Sequence, residues 1–184
     1  RQSFPQLLPM VSHNLSPMAA IARFIKETTP DAKTIFIGPC TAKKAEAQLD
    51  TVKPYIDAVL TFEELQALFD SRDLDITTLP EDVLDNASYF GRIFARSGGL
   101  SDAVAEGLKE QNIDFDLKPC VCDGIEACRM ALLKKSKNVL DANFIEGMAC
   151  LGGCIGGAGC LTHGEKNKAE VDKYGREDKK KTIA

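Results

Sequence analysis

The chain has no uninterrupted apolar stretch near the roughly 20 residues needed to cross a bilayer, so neither a membrane-spanning helix nor a membrane partner is expected. It has no excess of positive charge. A net charge of −4 argues against a nucleic-acid partner and leaves a basic redox partner open. Repeats and low-complexity segments are absent, which leaves a globular reading. The opening Arg1-Gln2-Ser3-Phe4 has neither an initiator Met nor a signal-peptide pattern. Histidine is scarce. His13 is expected in a loop, and His163 in a structural place, although Cys160 and His163 are spaced so that they could share a metal. The cysteine count is seven, an odd number that does not suggest a closed disulfide framework. Thiols in a reducing cytoplasm, available to a metal, fit better.

What is present is a chain of 184 residues, 44% hydrophobic, enough for one cored domain or one lobe of a larger one. Strand and helix signals alternate, which predicts an α/β fold. Ser16-Pro17 opens a helix running to about Thr28, with Ala20, Ile21, Phe24 and Ile25 on its apolar face. Lys33–Ile37 reads as a buried strand ending at Cys40, and Ala58-Val59-Leu60 as a second. Thr61 and Glu64 are spaced for a capping box ahead of Leu65, Leu68 and Phe69. Residues 71–88 read as loop and short helix. Ser97-Gly98-Gly99 leads into a helix from Leu100 to about Glu110. Asp116–Cys122 is a third strand, Gly124–Lys135 its helix, and Asn143–Met148 a fourth strand ending at Cys150. From Gly164 the chain is charged, with Glu177-Asp178-Lys179-Lys180-Lys181, and reads as a solvated helix with a frayed end. The expectation is a parallel sheet of about four strands with flanking helices. Cys40, Gly98-Gly99 and Cys150 then stand where strands end and helices begin, the usual ligand position in open parallel sheets.

Two cysteine patches carry the chemistry. Glu146-Gly147-Met148-Ala149-Cys150-Leu151-Gly152-Gly153-Cys154-Ile155-Gly156-Gly157-Ala158-Gly159 sets two cysteines four apart among glycines. Thiolates are the usual protein ligands of iron–sulfur clusters, and glycine lets backbone N–H groups come close to sulfide. The second patch is Gly38-Pro39-Cys40-Thr41-Ala42-Lys43-Lys44-Ala45-Glu46. Cys120, Cys122 and Cys128 lie in a strand-like run and its helix and are read as core thiols. Metal ligation by them is the lesser alternative.

The two patches, in this order and with the glycine element Ser97-Gly98-Gly99-Leu100 between them, resemble two of the three signature motifs of the iron-only ([FeFe]) hydrogenase large subunit. The resemblance implies one lobe of that family's catalytic domain. It implies three ligands, Cys40, Cys150 and Cys154, to an H-cluster made of a 4Fe-4S cubane and a two-iron subcluster, with Cys154 as the bridging thiolate. It implies that Lys43 donates to an iron-bound cyanide, the role of a point charge in a low-dielectric pocket. Pro39 and Thr41 flank Cys40 in the same motif. Glu46 and Ser12 match residues of a proton path, against the plain alternatives of a surface carboxylate and a cap. Met148 matches a residue beside the two-iron unit, or is a core Met. Gly98 and Gly99 match backbone lying against the diatomic ligands, or simply start a helix.

The resemblance covers nearly the whole chain but only the C-terminal half or so of the family's catalytic domain, with residues 1–163 as that portion and 164–184 as a charged tail. The family's first motif would end about ten residues before Arg1, so one cubane ligand and the proton-transfer cysteine have no counterpart here. A chain of this kind is expected to be inactive by itself. Its apolar surface, which would meet the missing half, would also let it form a homodimer. Gly38, Met18, Leu151 and Cys160 depart from the Met, Gln, Pro and Gln common in the family, which suggests a divergent subgroup. The implied activity is reversible H2 oxidation, with electrons passing to ferredoxin or N-terminal ferredoxin-like domains. The alternative is a hydrogenase-like iron–sulfur sensor or assembly protein without hydrogen chemistry. A bare α/β interaction domain is the third reading.

Overall fold

A computed structural model of the chain describes residues 3–82, 87–178, 182 and 183. Lys179, Lys180, Lys181 and Ala184 of the expected tail, and residues 83–86 of the expected 71–88 loop, lie outside the described residues. The chain divides into two compact units. One comprises Ser12–Pro80 and Gly157–Leu161. The other comprises the residues up to Val11, Glu81–Gly156 and the residues from Thr162 onward.

The Ser12–Pro80 unit is built from α1 (Pro17–Thr28), β1 (Ile35–Ile37), α2 (Ala42–Glu46), β2 (Ala58–Leu60) and α3 (Phe62–Asp70), followed by a short 3-10 turn at Ile76–Thr78. Local signals set the helix starts. The Ser16 hydroxyl accepts the Ala19 N–H at 3.3 Å, with Pro17 in the first turn. Thr61 and Glu64 form the reciprocal capping box, at 3.2 and 2.8 Å. β1 and β2 pair in parallel with Ile35 opposite Ala58. The core is Met18, Ala19, Ala22, Ala47, Val52 and Ile56, with Phe36, Tyr55 and Val59 packed on it.

The buried face of α1 differs from the periodicity reading. Met18, Ala19 and Ala22 are buried, whereas Ile21 and Phe24 are more than half exposed. Small side chains let a helix lie close to its neighbour, and here the alanines make that approach. The strand at 33–37 shortens to Ile35–Ile37.

The Glu81–Gly156 unit holds α4 (Tyr89–Ile93), α5 (Gly99–Glu110), β3 (Pro119–Asp123), α6 (Ile125–Ser136), β4 (Phe144–Met148) and α7 (Lys166–Arg176), with 3-10 turns at Pro5–Met10 and Cys154–Gly156. β3 and β4 run parallel, with Cys122 opposite Gly147, and α6 is their crossover. The α/β class and the parallel strands match the expectation. The expected single sheet of about four strands is instead two sheets of two strands each. Among the described residues no ladder joins β2 to β3.

The expected charged helix of the tail forms as α7 and is mostly exposed, but one side of it packs. Arg92 stacks over Tyr174 at 4.4 Å from the ring centroid. A Cβ at Gly175 would lie 2.6 Å from Ile93 Cγ2, so α7 sits directly on α4.

Candidate functional site

β4 ends at Met148 and delivers Cys150 into a tight turn. Gly153 N–H donates to Cys150 O at 3.1 Å, and Gly156 N–H to Gly153 O at 3.1 Å. Three further bonds hold this turn from outside. Asp123 Oδ1, at the end of β3, accepts Gly152 N–H at 2.7 Å. Ser97 N–H donates to Gly152 O at 3.0 Å, and Ile155 N–H to Ala95 O at 3.4 Å, flanking an antiparallel bridge between Arg96 and Gly153. Gly153 is required twice over. Its φ is +89°, and a Cβ there would meet Ser97 N at 2.5 Å and Ala95 O at 2.7 Å. The cysteine turn and the Ser97-Gly98-Gly99 turn, 50 or so residues apart in sequence, therefore lie backbone against backbone.

The second turn is set by a residue that the motif reading quoted without a role. Gly98, at φ +88°, precedes α5 and offers no side-chain cap. The cap comes from Glu146 of β4, only 1% exposed. Its carboxylate accepts Gly98 N–H and Ser101 N–H, each at 2.8 Å, and the Ser101 hydroxyl at 2.6 Å. The anion sits on the positive end of the helix dipole. The sequence signal was there in principle: a Glu inside an apolar strand needs buried donors. Arg96 fixes the turn from the other side, with Nε 2.6 Å from Asp172 of α7 and Nη2 2.9 Å from Asp102 of α5.

Cys150, Cys154 and Met148 are half-buried. Among the described residues no disulfide is formed. The Ser97 hydroxyl is buried and, among the described residues, has no hydrogen-bond partner. Cys120, Cys122 and Cys128 lie on the α6 side of the β3–β4 sheet, with Cys120 and Cys122 Sγ 3.8 Å apart. Burial, then the hydrogen bond with Cys120, pushes the Cys122 thiol up to about 12, and burial also raises Cys128. Cys128 Sγ lies 3.5 Å from Met148 O. These are properties of protonated, packed thiols.

In the other unit, Cys40 follows β1 and opens the turn into α2, and Cys40 O accepts the Lys43 N–H at 3.3 Å. Pro39 O accepts the Gly159 N–H at 2.9 Å, so the Cys40 corner is tied to the glycine run that follows Cys154. Thr41 is exposed and precedes α2 without capping it by its side chain. Glu46 receives Lys43 Nζ at 2.5 Å and also accepts the Ser16 hydroxyl. Burial raises the Glu46 carboxyl, but the hydrogen bonds from Lys43 and Ser16 outweigh it and hold the group below its ordinary value. Lys44 points elsewhere, to Val59 O and the Glu64 carboxylate. Ser12 is exposed and accepts the Asn14 N–H at 3.2 Å. Ser16, read from sequence only as a cap, is the hydroxyl that reaches Glu46. Among the described residues no three His, Cys, Asp or Glu side chains gather as a metal-holding group.

The model of the iron-only hydrogenase large subunit, C-terminal domain, matches residues 1–158. The chain belongs to this family. It is 26% identical over 211 residues to iron hydrogenase 1 of Clostridium pasteurianum, covering 92% of this chain and 37% of that protein. It is 28% identical over 198 residues to the periplasmic [Fe] hydrogenase large subunit of Nitratidesulfovibrio vulgaris, covering 85% of this chain and 47% of that one. This hydrogenase-family chain thus spans less than half the length of either relative. An [FeFe]-hydrogenase structure from Chlamydomonas reinhardtii superposes with a TM-score of 0.69 at 21% identity, over 97% of this chain and 64% of that one, a likeness of fold. Helix α7 lies beyond the stretch that the family model matches, yet its Asp172 holds the Arg96 turn.

Proposed function

We propose that residues 1–163 form the C-terminal portion of an [FeFe] hydrogenase catalytic domain, that 164–184 are a charged tail whose helix braces it, and that the whole protein interconverts H2 with protons and electrons at an H-cluster. The observation that carries this reading is the glycine turn bearing Cys150 and Cys154, locked against Gly98-Gly99. The residues of the Cys150–Cys154 turn fit the cofactor. Two thiols on one turn suit iron, and the buried Ser97 hydroxyl, without a partner among the described residues, suits an acceptor on the bound group.

Cys40, Cys150 and Cys154 would hold the cluster as thiolates, and Met148, Gly98, Gly99, Pro39 and Thr41 would wall it. When bound, the H-cluster supplies the redox centre at which H2 is split or formed. Lys43 stands three residues after Cys40, and Glu46 takes one of the three donors of its side-chain nitrogen. Because Lys43 and Ser16 hold Glu46 low, it rests as the carboxylate, the form that accepts a proton; Ser16 donates to it, and the exposed Ser12 would stand at the outer end of that path, four residues before Ser16 in the chain. Ferredoxin or N-terminal ferredoxin-like domains would exchange the electrons. A reducing cytoplasm fits seven thiols without a disulfide, and among the described residues no helix is long and apolar enough to cross a membrane.

The test is infrared spectroscopy on the anaerobically purified, matured full-length protein. Bands of iron-bound carbonyl and cyanide are expected, with Lys43→Ala losing them or losing turnover and Lys44→Ala retaining both. A loaded 4Fe-4S cluster without those bands would refute hydrogen chemistry in favour of an iron–sulfur sensor or assembly protein.

A further inference from the structure

We infer that the Ser97 hydroxyl is a direct contact of the group held by the Cys150–Cys154 turn, donating a hydrogen bond to a sulfur or anionic acceptor of that group. The inference rests on the cluster-binding reading above and adds to it a role for Ser97, a residue of the glycine element to which the motif reading gives none.

Three observations carry it. Ser97 is 8% exposed, and its Oγ has no partner among the described residues. A buried hydroxyl without a partner is costly, and native proteins retain one where something outside the protein satisfies it. Ser97 is also pinned in place. Its own N–H is spent on Gly152 O at 3.0 Å, in the turn between the two cysteines, and the next N–H, of Gly98, is spent on Glu146 at 2.8 Å. The main chain on both sides of the hydroxyl is thereby fixed to the strand and turn that carry Cys150 and Cys154.

Glu146 explains why the arrangement is held so firmly. A Ser, Thr, Asp or Asn at the N-cap would have capped α5 locally. Here the cap is instead a buried carboxylate reaching from β4. A local cap stabilises a helix wherever the helix lies. A long-range cap stabilises it only in register with β4. The segment that carries Ser97 is therefore placed relative to the cysteine turn, with its hydroxyl left for a ligand. A donor to a thiolate or sulfide raises a cluster's reduction potential, because it favours the more negatively charged, reduced state.

The experiment compares wild type, Ser97→Ala and Ser97→Thr in the full-length protein, both cluster-free and after iron and sulfide reconstitution. In the cluster-free protein, Ser97→Ala removes an unsatisfied hydroxyl and should raise the thermal midpoint. In the reconstituted protein the sign should reverse. Ser97→Ala should lose iron to a chelator several-fold faster than wild type and show a lower cluster potential, and Ser97→Thr, which keeps the hydroxyl, should restore both. A cluster of unchanged potential and retention in Ser97→Ala would overturn the inference and assign the hydroxyl to a buried water. Absence of any cluster in wild type would overturn the cluster-binding reading and this inference with it. A cluster in wild type that Ser97→Ala leaves untouched overturns this inference alone.

Discussion

Gly152 and Gly153 offer a controlled comparison of two kinds of glycine requirement. Their φ values are +82° and +89°, so alanine at either position adopts the left-handed region at a similar cost, about 1–2 kcal/mol. The gain from a stiffer unfolded chain is also common to both and cancels. They differ in what a Cβ would meet. At Gly152 the nearest atom is Ile155 Cγ1 at 4.0 Å, an ordinary contact. At Gly153 the neighbours are Ser97 N at 2.5 Å, Ala95 O at 2.7 Å and Arg96 C at 2.7 Å, all backbone and unable to swing away. Forcing them apart is overpacking, about 1–3 kcal/mol more. Gly152→Ala should therefore cost about 1–2 kcal/mol and Gly153→Ala about 2–5 kcal/mol. Equilibrium urea unfolding under reducing conditions reads the difference as a lower midpoint with an unchanged slope. Equal midpoints for the two variants would mean that the cysteine turn does not dock on residues 95–97 in solution, and the site geometry built on that docking would fall.

Arg96→Ala should destabilise the protein by about 2–3 kcal/mol, because it strips two carboxylates, Asp172 and Asp102, of a partly buried partner. Arg23→Ala, which breaks the exposed pair with Glu27, should change stability little, and comparable losses in the two would contradict the bracing role of α7. Since the folded-state Glu46 carboxyl lies below its unfolded value, its contribution is fully present above the ordinary carboxylate range and fades as pH falls through the lower folded value. The stability gap between wild type and Glu46→Gln should therefore close on acidification, and a gap that widens toward acid pH would reverse the assignment. A Cys122 thiol titrating at about 12 carries roughly a thousandth of the thiolate of an ordinary cysteine at pH 8. Mass-spectrometric alkylation should label Cys122 last, and labelling as early as Cys120 would show that the strand is not packed as described.

The legible part of this protein is local in sequence. Ser16-Pro17 starts α1, Thr61 and Glu64 close a capping box, and Gly98 precedes α5, because each signal acts over three or four residues of the same chain segment. The cysteine and glycine motifs were legible for the same reason. Their spacing within one turn is their chemistry.

Tertiary structure decided what depends on partners far along the chain. Periodicity put Ile21 and Phe24 in the core, but packing chose the alanine face of α1, since a hydrophobic pattern says which faces are apolar and not which one meets the sheet. The sequence predicts four parallel strands in one sheet, and they fall into two pairs, because a strand's own pattern does not encode its ladder partner. Ser16 reaches Glu46, Arg96 reaches Asp172, and Glu146 caps α5 from β4, bonds spanning 30, 76 and up to 48 residues. Residue types alone could not choose among the many donors and acceptors that a sequence of this length offers. Burial chose, because once Glu146 is taken out of water only the N–H groups folded against it can satisfy its charge.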